Sequence, residues 1–326
     1  MTAAVVRPEV TIVVAPRERF STTRATLETL YAVTPPPFRL VYVDGGSPPA
    51  IARYLRAQAG ARGFVLLRRE AYLSPDAARN LGFEQVRTPY VVFLDNDVVV
   101  APGWLDALLG CAEDTGASIV APLYCVDQPW HTTIHMAGGR AHVEERGGAR
   151  RFVEGHRFMH RPLAALRATL VREPAEQAEF HCVLLRSELM RELGPLDERF
   201  CGVPEVQIDR CLEARACGHG VYFEPAAVVT YDRSPPLRRF DLPYFLWRWD
   251  EARGRDGLEH FRRTWRLDAD DPYFAGQLAF MAMHRRRALR SLRPLWLALR
   301  VLGRAGRLRA ADRLIGAAAS FSRVAR

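Results

Sequence analysis

At 326 residues and 48% hydrophobic, the chain is long enough for one large or two small cores and too apolar to be disordered. The net charge of +9 is unevenly placed. Residues 272–326 carry twelve arginines against one acid, Asp312, a net of +11, which leaves about −2 for the rest. A near-neutral body argues against a nucleic-acid partner. No apolar run reaches the roughly 18 residues of a spanning helix, and MTAAVVRPEV lacks the charged-then-apolar order of a signal peptide, so a cytoplasmic protein is expected. Six cysteines (111, 125, 182, 201, 211 and 217) form no CxxC pair and read as reduced, buried thiols.

In chain order, VTIVVA (10–15) is a continuous apolar strand ended by Pro16, and Ser21 or Thr22 caps a helical pattern that runs to Val33. FRLVYV (38–43) is a second strand, running into Asp44-Gly45-Gly46-Ser47. A helix over 49–59, a strand over 64–67 and a helix over 74–86 follow, the last opened by Ser74-Pro75. A strand at Tyr90–Leu94 comes next, then a helix over 103–113 and a short strand over 118–121. This β-α-β-α-β-α-β alternation predicts an α/β fold with a mainly parallel sheet flanked by helices.

The most informative stretch is YVVFLDNDVVVAPGWL (90–105). A buried strand that ends in Asp95-Asn96-Asp97 presents acids at the carboxyl edge of the sheet, where open α/β sheets bind ligands. Two carboxylates at i and i+2 can share one divalent cation with a diphosphate, since hard cations take oxygen ligands. Asp44 repeats this logic: it is placed either to accept hydrogen bonds from a base or ribose, or to close an Asx-type turn. No GxGxxG follows the first strand, which disfavours a dinucleotide-binding dehydrogenase.

Taken together, VTIVVAP, VDGGS and ARNLGFEQVRTPYVVFLDNDVVVAPGWL resemble, in order and spacing, the bacterial nucleotide-sugar glycosyltransferases of family 2, which have the GT-A fold. The resemblance resumes at FHCVLLRSELMRELGPLDERF and GHGVYFEPAAVVTY. It implies a glycosyltransferase domain over 8–235, made of a nucleotide-sugar half (8–125), a variable insertion (126–180) and an acceptor half (181–235). A helical extension over 236–326 follows, first aromatic and then basic. The implied roles are Pro16 lining the base pocket, Asp44 on a base that is usually uracil, and Arg79 and Asn80 near the nucleotide or diphosphate. Asp95, Asn96 and Asp97 form the acidic motif, with Asp95 and Asp97 holding Mg²⁺ or Mn²⁺. The implied reaction is inverting transfer of a sugar from a nucleoside-diphosphate sugar, a UDP-sugar favoured, to an acceptor hydroxyl, in glycan, glycolipid or natural-product biosynthesis. A catalytically inactive sugar-nucleotide binder and a sugar nucleotidyltransferase are the alternatives.

The chain departs from the family pattern at CGVPEVQIDRCLEAR (201–215). Gln207 falls where the catalytic aspartate is often found, which leaves Glu205 as the candidate base. Asp209 is then a supporting acid or a carboxylate facing the helix dipole. A second departure follows the strand at 221–231, where many relatives carry a histidine and this chain has Thr230-Tyr231-Asp232. Residues 127–179 hold His131, His135, His142, His156 and His160. Two of these pairs have the i, i+4 spacing of zinc ligands on a helix, but Gly138-Gly139 and Gly147-Gly148 make a hairpin or mobile acceptor-side insertion the better reading. Trp130, His135 and His181 are candidates to line a sugar or acceptor site. The aromatics of 238–267 read as a helical cover on the core. The leucine- and arginine-rich 288–302 reads as a basic amphipathic helix, suited to an anionic membrane surface at the inner face, or to packing or oligomerisation.

Overall fold

The structure, a computed structural model, describes residues 10–200 and 205–292. The amino-terminal half alternates as the periodicity predicts: β1 (Val10–Ala15), α1 (Thr23–Val33), β2 (Arg39–Gly45), α2 (Pro49–Arg62), β3 (Val65–Arg69), α3 (Pro75–Phe83) and β4 (Tyr90–Asp95). Then come β5 (Val98–Val100), α4 (Trp104–Thr115) and β6 (Ile119–Val126). The insertion supplies β7 (Ile134–Met136), the hairpin β8 (Gly139–Arg146) and β9 (Ala149–His156), the single turn α5 (Leu163–Leu166) and β10 (Glu173–Pro174). β11 (Cys182–Arg186), α6 (Ser187–Glu192), α7 (Glu205–Ala216) and β12 (Val221–Tyr231) complete the sheet region. α8 (Leu242–Arg248), α9 (Glu251–Thr264) and α10 (Pro272–Ala288) form the extension.

The main path of the large sheet runs β10-β12-β6-β11-β4-β1-β2-β3. β3, β2, β1 and β4 are parallel, as apolar strands joined by helices should be, and β12 is parallel to β6. β11 enters antiparallel between β4 and β6, pairing Cys182 with Leu94 and Leu184 with Val120. That register brings the residues just before β11 beside the end of β4, since the Asp95 amide donates to the His181 carbonyl at 2.9 Å. The short β5 was not evident from the sequence. Its three valines follow the acidic turn at once and pair with the end of β12.

Local choices explain the helices. Ser74 caps α3 by accepting from the Ala77 amide at 3.1 Å, with Pro75 at the first helical position. Thr22 sits at the start of α1 but makes no side-chain cap. That end is served from far away in sequence: the buried Asp241 accepts from the amides of Phe20 (2.8 Å) and Ser21 (3.1 Å). Asp250 and Asp271 cap α9 and α10. The aromatic segment is the cover expected of it, with Tyr244, Phe245, Trp249 and Phe261 all buried. Residues 293–326, on which most of the membrane-surface reading rests, lie outside the described residues. Among those described, no helix is long and apolar enough to cross a membrane.

α3 sits so close to the sheet that Gly82 has no room for a side chain: a Cβ there would lie 2.3 Å from Val13 Cγ1 and 3.2 Å from Val43 Cγ2. This contact fixes the distance from α3, which carries Arg79, to β1. We expect Gly82→Ala to cost about 1–3 kcal/mol through overpacking. It should be read as a lowered urea midpoint at unchanged m-value.

Candidate active site

The site forms where β1, β2 and β4 end. Asp95, Asn96 and Asp97 are all buried at the end of β4, no more than 2% exposed. Asp95 lies between two donors. Arg79 Nη2 from α3 reaches Oδ1 at 2.6 Å, and His181 Nδ1 lies 2.9 Å from Oδ2. Arg79 also donates to Asp76 (2.8 Å) and to the Phe180 carbonyl (3.1 Å), so this arginine is a buried ion-pair partner and not a surface residue. Asp97 Oδ2 accepts from Arg17 Nη1 at 2.9 Å, whereas Asp97 Oδ1 is buried without a hydrogen-bond partner.

The two carboxylates are driven apart by their surroundings. Burial opposes the charge on Asp95, but Arg79, then His181 and Arg17, outweigh it and hold the carboxyl below its ordinary range. Burial also dominates at Asp97. Arg17 offsets it in part, Asp95 and Glu18 add repulsion, and the carboxyl is raised. A buried, unpartnered carboxylate oxygen beside an ionised neighbour calls for a cation. The donor set, two carboxylates, is one that a hard dication takes, with water or a diphosphate supplying its remaining oxygens.

Asn96 is engaged by backbone through both atoms of its amide. It accepts from the Arg17 amide (3.1 Å) and donates to the Arg19 carbonyl (2.7 Å), so it fastens the loop after β1 to the acidic turn. That loop carries a carboxylate which sequence reading missed. Glu18 is fully buried and accepts from Arg19 (2.6 Å) and Trp249 Nε1 (3.0 Å), with His284 Nε2 at 2.8 Å. Burial would raise its pKa, but Arg17 and His284 hold it well below the usual range. The available signal was the charged triplet Arg17-Glu18-Arg19 directly after an apolar strand.

The other candidates are placed as follows. The Pro16 carbonyl accepts from Tyr244 OH at 3.1 Å. Asp44, 1% exposed, adopts the Asx-type arrangement, accepting from the Ser47 amide (3.0 Å), Ser47 Oγ (2.9 Å) and Arg68. Asn80 is turned to a different neighbour and clamps Leu196 through both its amide atoms. Gln207 Oε1 accepts from the Phe180 amide at 2.9 Å and so pins the turn bearing His181. Asp209 lies in the second turn of α7 and accepts from Trp265 Nε1 at 2.8 Å. Glu205 opens α7, but its side chain lies outside the described residues. Asp232 accepts from Gln128 (2.8 Å), Trp130 (3.0 Å) and the Ser234 amide (2.9 Å). His181 stacks on Tyr231 at 4.2 Å, and the His135 ring stands 6.4 Å from that of His181.

A mainly parallel α/β sheet with buried acids at its carboxyl edge and a helical extension defines the chain as a GT-A-type protein. The profile described as Glycosyl transferase family 2 matches residues 11–173, half of the sequence, and the chain belongs to this family. It is 27% identical over 282 residues to "Uncharacterized protein y4gI" of Sinorhizobium fredii, covering 83% of this chain and 29% of that protein. It is also 27% identical over 233 residues to the "Pre-mycofactocin glycosyltransferase" of Mycobacterium tuberculosis, covering 71% and 44%. The chain therefore spans less than half the length of these relatives. A crystal structure of GalNAc-T7 with UDP, GalNAc and Mn²⁺ superposes with a TM-score of 0.53 at 16% identity, over 85% of this chain and 57% of that one, which shows a shared fold.

Asp209 provides a pH test of this geometry. Burial, reinforced by Glu213, raises its carboxyl from 3.8 to about 7. The folded state then holds this proton more tightly than the unfolded chain. The contribution to stability is complete below about pH 4, declines as the pH rises to about 7, and is level above that. Asp209→Asn should flatten this part of the urea-midpoint profile and gain up to about 4 kcal/mol over the wild type above pH 7.

Proposed function

We propose that the protein transfers a sugar from a nucleoside-diphosphate sugar to an acceptor hydroxyl, with inversion at the anomeric carbon and with Mg²⁺ or Mn²⁺. The observation that carries this reading is the buried Asp95–Asp97 pair at the carboxyl edge of β4, with Asp97 Oδ1 unpartnered. Family membership and the fold shared with a UDP- and Mn²⁺-bound structure support it. A UDP-sugar is the favoured donor.

In this reading Asp95 and Asp97 hold the dication, which when bound offsets the charge that grows on the leaving diphosphate. Arg79 and His181 keep Asp95 ionised and fixed in place. Arg17, which rests on Asp97, also contacts the Tyr231 face (5.3 Å), and it can turn toward a diphosphate oxygen. Asp44 and Pro16 are the residues proposed to meet the base. Glu205, at the start of α7, is the proposed base that takes the acceptor proton. Asp209, held by Trp265, acts as a supporting acid that positions α7. The insertion 126–180 forms the acceptor-side wall between the nucleotide half 8–125 and the acceptor half 181–235.

Product analysis tests the reaction class. Incubated with a panel of UDP-, GDP- and dTDP-sugars and Mn²⁺, the protein should release nucleoside diphosphate from one of them by slow transfer to water. Asp97→Asn should lower this rate by about a hundredfold or more, as loss of a charge-stabilising group does. Release of pyrophosphate instead would identify a nucleotidyltransferase. Tight binding of the sugar nucleotide without release from any donor or acceptor would identify an inactive binder.

A further inference from the structure

A second cluster of ligating side chains lies behind His181, on the insertion side. His135 from β7, His156 at the end of β9 and Glu179 just before β11 bring one donor atom each within 4.8 Å of one another. His135 Nε2 lies 2.9 Å and His156 Nε2 3.8 Å from Glu179 Oε1. Ligand atoms around a tetrahedral zinc, with bonds of about 2.0–2.1 Å, stand roughly 3.3 Å apart, between these two values. The i, i+4 pairs visible in the sequence are therefore not the partners. The sheet instead joins one histidine from each pair.

Two geometric features mark this trio as ligating. The Glu179 side chain is 6% exposed, yet its Oε2 has no hydrogen-bond partner. His135 is oriented from behind, with its Nδ1 3.2 Å from Tyr231 OH, as an imidazole ligand usually is by its second nitrogen. Glu154 Oε1, 3.3 Å from His156 Nε2, and His181 Nε2, 4.0 Å from Glu179 Oε2, are the side chains at hand for a fourth position, which water can fill otherwise.

We propose that His135, His156 and Glu179 bind a zinc-class divalent ion, separate from any ion on Asp95 and Asp97. Two imidazoles and one carboxylate select a borderline ion over Mg²⁺, which prefers oxygen alone. The ion clips β7 and the end of the β8–β9 hairpin to the entry of β11. Only the His181 ring separates it from Asp95, because Nδ1 of that ring bonds Asp95 while Nε2 faces Glu179. The clip thus fixes the insertion against the turn that orients Asp95. The proposal does not depend on the transfer reading.

The test is metal content and cobalt spectroscopy on the full-length protein, stripped with chelator and reloaded with Zn²⁺ or Co²⁺ in the absence of nucleotide. The wild type and Asp97→Asn should each retain one equivalent of zinc, and Co²⁺ should give the visible bands of a four- or five-coordinate nitrogen-containing site. His135→Ala/His156→Ala and the near-isosteric Glu179→Gln should weaken zinc binding at least about tenfold. If the double variant fails to fold, Glu179→Gln, checked by circular dichroism, decides alone. No retained zinc in the wild type, unaltered binding in Glu179→Gln, or loss in Asp97→Asn alone would overturn the assignment.

Discussion

The structure depends on a carboxylate kept charged inside the protein. Asp95 is covalently the last residue of the central strand β4, so the folded sheet buries it whatever it costs. The cost of desolvating that charge is several kcal/mol unless it is paired and hydrogen-bonded. Arg79 and His181 supply the pairing, and each is fixed by a different part of the fold. Arg79 is delivered by α3, whose approach to β1 leaves space only for Gly82. His181 is delivered by the antiparallel entry of β11. Phe180, between them, is held through its carbonyl by Arg79 and through its amide by Gln207. Removing Arg79 would strip Asp95 of its main compensating charge, a loss of about 3–5 kcal/mol. Asp97 is different: it has one cationic neighbour and one unused oxygen, and is left with unmet demand for positive charge.

The extension is part of the same network. Asp241 serves the amides that precede α1, Tyr244 OH bridges the carbonyls of Pro16 and Leu73, and Trp249 and His284 both reach Glu18. Glu18 in turn lies against Arg17, the guanidinium on Asp97. A chain of buried ion pairs and hydrogen bonds thus runs from α10 to the acidic pair. The loop after β1 has no regular structure of its own, and these contacts take the place of a helix or strand in fixing it. An aromatic cover of this kind supplies apolar burial and, through its indole and phenol groups, the polar anchors that a loop needs.

The parts legible in the sequence were those whose meaning is local. Continuous apolar strands, Ser74-Pro75 and the acids at the end of YVVFLDND each declare themselves within a few residues, and from them follow the parallel half of the sheet and its carboxyl edge. Strand β5 was hidden because three valines directly after an acidic turn look like a continuation of the apolar run. Asp44 satisfied both of its readings in sequence, and the observed partners, Ser47 and Arg68, show the turn geometry. The His135–His156–Glu179 cluster was unreadable for a different reason. Its members are separated by 21 and 23 residues, and only the pairing of β7 with β6, β9 with β8 and β11 with β4 brings them together. Spacing along the chain pointed instead to helical pairs, whereas His135 lies in strand β7 and His156 ends strand β9.

The central claim is that Asp95 and Asp97 form a nucleotide-and-cation site. Calorimetric titration of UDP against the wild type and Asp97→Ala, each with and without Mn²⁺, tests it most directly. The account predicts binding in the wild type that strengthens with Mn²⁺ and a mutant in which the Mn²⁺ dependence is gone. Absence of binding to UDP, GDP and dTDP alike, or an Mn²⁺ effect that survives in Asp97→Ala, would contradict it.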